Sequence, residues 1–143
     1  MSASLVLQSR NTTIGIWFLR ILAAAIFLVA GLMKLVGQSM MVQEFDAVGF
    51  GQWFRYLTGL LEIIGAVAVL APSYSAFGAA LLLIVDIGAF VAQIAVLHMD
   101  LIHTIVIGAL LATLLYLQRS QIEAIAEARI SRILTPPKAG RSA

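Results

Sequence analysis

The sequence lacks cysteine and carries little charge. None of its 143 residues is a cysteine. This absence excludes a disulfide framework, a thiolate metal site, an iron–sulfur cluster and a Cys-X-X-Cys redox pair. Charged residues make up 11% of the chain, whereas a typical soluble domain has about a quarter. The few charges that do occur inside apolar segments are therefore the most informative residues of the sequence.

Apolar residues take the place of the missing charge. They form 62% of the chain, and the mean hydropathy is +1.02. A small soluble domain cannot bury that much apolar surface, so lipid is the expected environment, and the length suits one domain. The net charge of +2 is spread over tails and apolar segments, which is typical of membrane orientation rather than of nucleic-acid binding.

Four apolar runs, at about 14–36, 53–71, 75–97 and 101–117, approach the ~20 residues that span a bilayer as a helix. Because two of the three connections are short, sequential helices should be antiparallel neighbours. The sequence thus predicts an all-α polytopic membrane protein with an antiparallel four-transmembrane-helix bundle at 14–117. Residues 1–13 form the N-terminal segment. Residues 118–143 form a tail, in which apolar residues at helical spacing over 118–134 predict an amphipathic helix at the membrane surface. The alternative is that the fourth helix continues into water.

The basic residues predict the orientation of the bundle. Arg10 precedes the first span, and five basic residues follow the last, at positions 119, 129, 132, 138 and 141. Because basic residues concentrate in cytoplasmic segments, both termini are predicted to be cytoplasmic.

Four ionisable residues lie within the predicted spans, namely Arg20, Lys34, Glu62 and Asp86. Each costs at least ~2.5 kcal/mol at a helix centre, so such side chains usually face the bundle interior and pair. Counting residues from the ends of the helices at 1.5 Å each predicts that Arg20 meets Glu62 and Asp86. One cation then faces two acids, and a proton, Lys34 or a ligand must balance the excess negative charge.

A second polar group is predicted near the outer ends of the third and fourth spans, comprising Gln93, His98, Asp100 and His103. Lys34 could meet Asp100, Glu44 or Asp46 there. The two histidines are five residues apart and have one nearby acid, which completes no metal coordination set, so no metal site is predicted. The same charges have two interpretations: they form a ligand or proton site, or they only fix which helices pair.

Small residues predict where helices approach closely in lipid. The candidates are Ala24 with Gly31, Gly59 with Ala66, Gly88 with Ala92, and Gly108 with Ala112.

The sequence also resembles the DoxX family of bacterial membrane proteins. The resemblance is carried by Arg20, Ala30-Gly31 and Lys34-Leu35 in the first span, by Phe45, Gly49 and Trp53, and by Gly59-Leu-Leu-Glu62-Ile-Ile-Gly65 in the second. It implies a four-helix protein of the bacterial inner membrane. It also implies an association with redox systems, since the family is named after a small subunit of a thiosulfate:quinone oxidoreductase.

Three functions follow as hypotheses. The first is a membrane subunit of a redox system that binds a quinone or similar small amphiphile. It would at most be the subunit of a quinone-linked oxidoreductase that lacks the redox centre, with no covalently bound cofactor and no assigned catalytic residue. The second is a non-catalytic anchor or assembly subunit of a larger membrane complex. The third, a small transporter, is disfavoured because no span is broken by proline or paired glycines. Each hypothesis implies a protein partner or a homo-oligomer.

Overall fold

The computed structural model describes residues 3–98 and 101–134, and every regular element in these two stretches is helical. The elements are α1 (Ala3–Leu35), α2 (Ser39–Val48), α3 (Gln52–Leu70), α4 (Ser75–Ala92) with a π-helical turn at Gln93–Leu97, α5 (Ile102–Leu117) and α6 (Arg119–Leu134). The predicted all-α membrane bundle is confirmed.

The four long apolar helices form a closed ring. α1 packs on α3, α3 on α4, α4 on α5, and α5 returns to α1. Three segments are long and apolar enough to cross a membrane, Thr13–Leu35, Gln52–Leu70 and Ser75–Leu97, and Ile102–Leu117 is a shorter apolar helix. These bounds lie within two residues of the predicted spans. The helix that contains the first span begins ten residues earlier, at Ala3.

The first connection contains a helix that the sequence analysis did not predict. α2 covers ten residues, and no residue of it is buried. It ends at Gly49, whose φ of 83° is in the left-handed region that glycine adopts at little cost. We call this side of the bundle the α2 end. The opposite side, where α3 stops, α4 starts and α5 leads into α6, is the α6 end.

Arg55 ties the α2 end together. Its side chain is only 3% exposed, and it donates hydrogen bonds to the backbone carbonyl of Lys34 and to the Gln52 side chain. Gln52 in turn donates to Asp46 at 2.6 Å and to the Val42 carbonyl at 3.1 Å. The carbonyls at a helix C-terminus have no helical partner, so Arg55 satisfies one of them while linking α1, α2 and α3.

We therefore expect Arg55→Met to lower the free energy of unfolding by about 1–3 kcal/mol, because it leaves buried polar groups without a donor. Thermal unfolding in mild detergent measures this, with Gln43→Ala on the exposed side of α2 as the control. Equal stability of the two variants would show that Arg55 does not tie α2 to the bundle.

Candidate functional site

The polar residues of the apolar spans face inward. Arg20, Glu62, Asp86 and Gln93 are all less than 9% exposed, although each lies in an apolar helix. Large apolar side chains point outward instead, for example Phe18, Val67 and Ile84. This arrangement is the reverse of that in a soluble protein. The outer surface suits lipid, and the polar groups that could bind a ligand lie in the interior.

Lys34 and Glu62 form an ion pair between α1 and α3. The Lys34 ammonium lies 2.9 and 3.0 Å from the two carboxylate oxygens of Glu62, and the side chains are 15% and 6% exposed. Glu62 stands ten residues from one end of α3 and eight from the other, so it lies near mid-span. Such a bidentate contact satisfies both charges in a medium of low dielectric constant.

This pairing corrects the prediction that Arg20 meets Glu62 and Asp86, which was wrong. Two glycines set the register of α1 against α3, since a Cβ on Gly31 would lie 2.8 Å from the Gly59 carbonyl and 3.3 Å from the Glu62 Cβ. Glu62 is therefore level with Gly31, eleven residues or about 16 Å along α1 from Arg20. That distance exceeds the reach of an arginine side chain.

Asp86 faces the same interior from α4. It is 7% exposed and lies within electrostatic range of Glu62 and His103. Its Oδ2 occupies the space next to Gly108, where an added Cβ would be 2.9 Å away. Within the described residues, neither a hydrogen bond nor an ion pair holds Asp86, so its carboxyl group is free to take up a proton, a water molecule or a donor on a ligand.

A hydrogen-bonded group lies on the α2 side of Asp86. The Gln93 amide nitrogen is 2.8 Å from His103 Nε2, and the Thr104 hydroxyl lies 3.1 Å from the Gln93 amide oxygen and 2.9 Å from the Leu101 carbonyl. A hydroxyl has one proton, so Thr104 donates to only one of these acceptors at a time. In this orientation of the Gln93 amide, His103 Nε2 accepts a hydrogen bond from the NH₂ group. If the amide rotates to present its oxygen, the other tautomer of His103 donates a hydrogen bond to it.

The backbone near Gln93 is irregular. Residues Gln93–Leu97 form a π-helical turn, and His98 follows with φ of 50°. Single π-turns inside α-helices often occur at functional sites. His98 itself is exposed and does not belong to the Gln93 group. Asp100 lies outside the described residues.

Of the predicted site residues, the structure thus brings together Lys34, Glu62 and Asp86 in the middle of the bundle, with Gln93 and His103 beside them. Arg20 lies apart, toward the α6 end, where its guanidinium is 3.5 Å from the Gln118 amide oxygen. The sequence analysis missed Thr104 and Gln118. Both are polar residues at the ends of the fourth span, a position that is usually solvated and gave no reason to expect burial.

The sequence pattern of the DoxX-like family matches residues 18–117. This range includes α1 from residue 18 onward, all of α3, α4 and α5, and every residue of the mid-bundle group. The chain belongs to the DoxX-like family. No curated protein and no solved structure matches this DoxX-like protein. The resemblance seen in the sequence is therefore confirmed for the family and for its membrane location.

Proposed function

We propose that this DoxX-like protein is a membrane subunit of a redox system and binds a quinone or a similar small amphiphile inside the bundle. The observation that carries the proposal is Asp86, a mid-span carboxyl group without a described hydrogen-bond partner, next to the Lys34–Glu62 ion pair. A quinone carbonyl accepts a hydrogen bond from a protonated carboxyl group, and the corresponding quinol hydroxyl donates one to a carboxylate.

The residues around Asp86 fit such a ligand. The interior offers one carboxyl group for proton exchange and apolar helices that suit an isoprenoid or alkyl tail. His103, an exposed residue whose ring nitrogen contacts Gln93, lies at the edge of this region. Lys34 is engaged by Glu62, so its role is to hold α1 against α3 and to set the local charge. A bound quinone would supply the redox chemistry, and the electrons would come from a protein partner.

The location proposed for this function is the bacterial inner membrane, with both termini cytoplasmic. The basic residues that follow α5 support this orientation. Because a subunit without its own redox group needs a source of electrons, we propose a protein partner or a homo-oligomer at the lipid-facing surface.

A specific observation favours a second candidate. The Lys34–Glu62 pair is bidentate and self-contained, as expected of a contact whose only role is to specify which helices pair. If Asp86 is simply a neutral side chain packed on Gly108, the protein is a non-catalytic anchor or assembly subunit of a larger membrane complex.

Binding of decylubiquinone to the detergent-solubilised protein distinguishes the two. We expect Asp86→Ala to weaken binding at least tenfold, since a hydrogen bond to a charged or ionisable group is worth about 1.5–3 kcal/mol. Asp86→Asn should bind within about threefold of the parent because an amide also donates. Glu44→Gln, a carboxyl-to-amide change in α2, is the matched control and should leave binding unchanged.

Quinone binding that is equal in Asp86→Ala and in the parent would place the ligand elsewhere. No quinone binding in the parent, together with a stably co-purifying protein, would support the anchor instead.

A further inference from the structure

Arg20 is a buried cation near the α6 end, away from the mid-bundle group. Its side chain is 4% exposed. The guanidinium carbon lies 5.2 Å from the centre of the Trp17 ring, and one terminal nitrogen is 3.5 Å from the amide oxygen of Gln118. Neither contact brings a formal negative charge to the guanidinium.

The acidic side chains of the described residues all lie elsewhere. Glu62 is bound by Lys34, and Asp86 lies near Glu62 and His103. Glu44 and Asp46 belong to α2 at the opposite end, and Glu123 and Glu127 are exposed on α6. The residues outside the described ranges contain one acidic side chain, Asp100. In the described part of the chain, Arg20 thus has no ion-pair partner, which is costly for a buried charge.

Unused hydrogen-bond donors accompany this unbalanced charge. The Nε of Arg20 and the Nε2 of Gln118 are both buried and have no partner among the described residues, and Gln118 is only 1% exposed. The contact with Arg20 fixes the Gln118 amide with its oxygen toward the guanidinium, which leaves the NH₂ group as the free donor. The Ser75 hydroxyl, at the same end of the bundle, is also buried and unpartnered.

The position of these donors relative to the membrane identifies the kind of acceptor. Gln118 directly follows α5, whose sixteen apolar-rich residues are about 24 Å long, and it precedes α6, which begins with Arg119. It thus lies where hydrocarbon gives way to headgroups. Phosphate groups of lipids occupy this region, and guanidinium groups bind phosphate through paired N–H donors.

We propose that Arg20 and Gln118 form an oxyanion site that binds a phosphate group, supplied by an anionic phospholipid or by inorganic phosphate. Access is past Trp17, whose ring lies over the guanidinium and is itself 40% exposed. The site is separate from Asp86 and Glu62, so the result of its test does not depend on whether the protein binds a quinone.

Native mass spectrometry and thermal unfolding in dodecyl maltoside test the site, with phosphatidylglycerol, phosphatidylcholine and inorganic phosphate as probes at constant ionic strength. We expect phosphatidylglycerol to stay bound and to raise the unfolding temperature of the parent protein, whereas phosphatidylcholine does neither. Arg20→Gln should weaken this binding at least tenfold. Gln118→Leu, which keeps every charge, should weaken it about three- to tenfold through one lost donor.

Arg119→Gln is the matched control, because Arg119 is an exposed basic residue at the same end that stacks on Tyr116 at 4.4 Å. It should bind phosphatidylglycerol with an affinity within twofold of that of the parent.

Stabilisation by inorganic phosphate as well as by lipid would show that the site takes a free oxyanion, and stabilisation by lipid alone would show a headgroup site. Loss of binding in Arg119→Gln equal to that in Arg20→Gln, or unchanged binding in Gln118→Leu, would overturn the proposal. If Arg20→Gln does not fold, Gln118→Leu decides alone.

Discussion

Lys34→Met should be one of the most damaging single substitutions in this protein, with a loss of about 3–5 kcal/mol in the free energy of unfolding. Glu62 lies near mid-span, is 6% exposed and has Lys34 as its ion-pair partner. Its short side chain cannot reach the membrane surface once the ammonium is gone. A carboxyl group is then left in an apolar interior without the partner that offsets its desolvation.

The reverse substitution, Glu62→Leu, should cost less, about 1–2 kcal/mol. Lys34 lies in the last turn of α1, which ends at Leu35, and its long side chain can extend to the α2 end. The double variant Lys34→Met/Glu62→Leu should recover to within about 1 kcal/mol of the parent, because a well-packed apolar pair often replaces a buried ion pair without loss.

Unfolding of the single and double variants in detergent or bicelles measures these differences, and Glu127→Gln on the exposed face of α6 is the control. A double variant no more stable than Lys34→Met would show that the pair does more than balance charge. Quinone binding by a stable double variant would assign Lys34 and Glu62 a structural role and leave Asp86 as the binding group.

The sequence was sufficient to predict the architecture because the membrane strongly limits the structures that a chain can adopt within it. Every backbone polar group in hydrocarbon must be satisfied within a helix, and each helix must be long enough to cross. The apolar runs therefore matched the helices closely. α2 was not predicted because it is short and none of its residues is buried, so no long apolar run indicates a helix there.

The identity of the buried polar residues was also predictable, but their pairing was not. Charge in an apolar run indicates an inward-facing side chain, and Glu62, Asp86 and Arg20 all face inward. Which cation meets which acid depends on the axial register of two helices. A shift of one turn, about 5.4 Å, is enough to exchange partners. The Gly31–Gly59 contact sets that register, and residue counts from the helix ends do not reveal it.

The prediction that helices approach closely at small residues was right for some positions and wrong for others. Gly31 and Gly59 do meet across α1 and α3. Gly88 was expected to pack, yet nothing lies within 4 Å of the position of its missing Cβ. Gly78, which the sequence did not single out, is among the most crowded glycines. Both glycines are in α4, and their own helix gives no sign of the difference. Only the packing of the neighbouring helices determines that a side chain would clash at Gly78 and would fit at Gly88.

Gly78→Ala should therefore lower the free energy of unfolding by about 2–3 kcal/mol, at the upper end of the usual cost of overpacking. The added Cβ would lie 2.5 Å from the Val69 amide nitrogen and 2.7 Å from the Gly65 carbonyl oxygen. Both are backbone atoms of α3, so no side-chain rotation relieves the clash and the two helices must separate. Asp86 is carried by the same helix, and that separation should also weaken ligand binding in the bundle.

Gly88→Ala is the matched control, since it makes the same change in the same helix at an open position. It should be neutral or stabilising by up to about 1 kcal/mol, because alanine favours the helix more than glycine does. Thermal unfolding of the two variants in one detergent measures the difference directly. Because both substitutions add one methyl group to α4, a gap of several degrees between them can come only from contacts with α3. Equal unfolding temperatures would mean that α3 and α4 are not in close backbone contact, and the position assigned to Asp86 beside Glu62 would then be wrong as well.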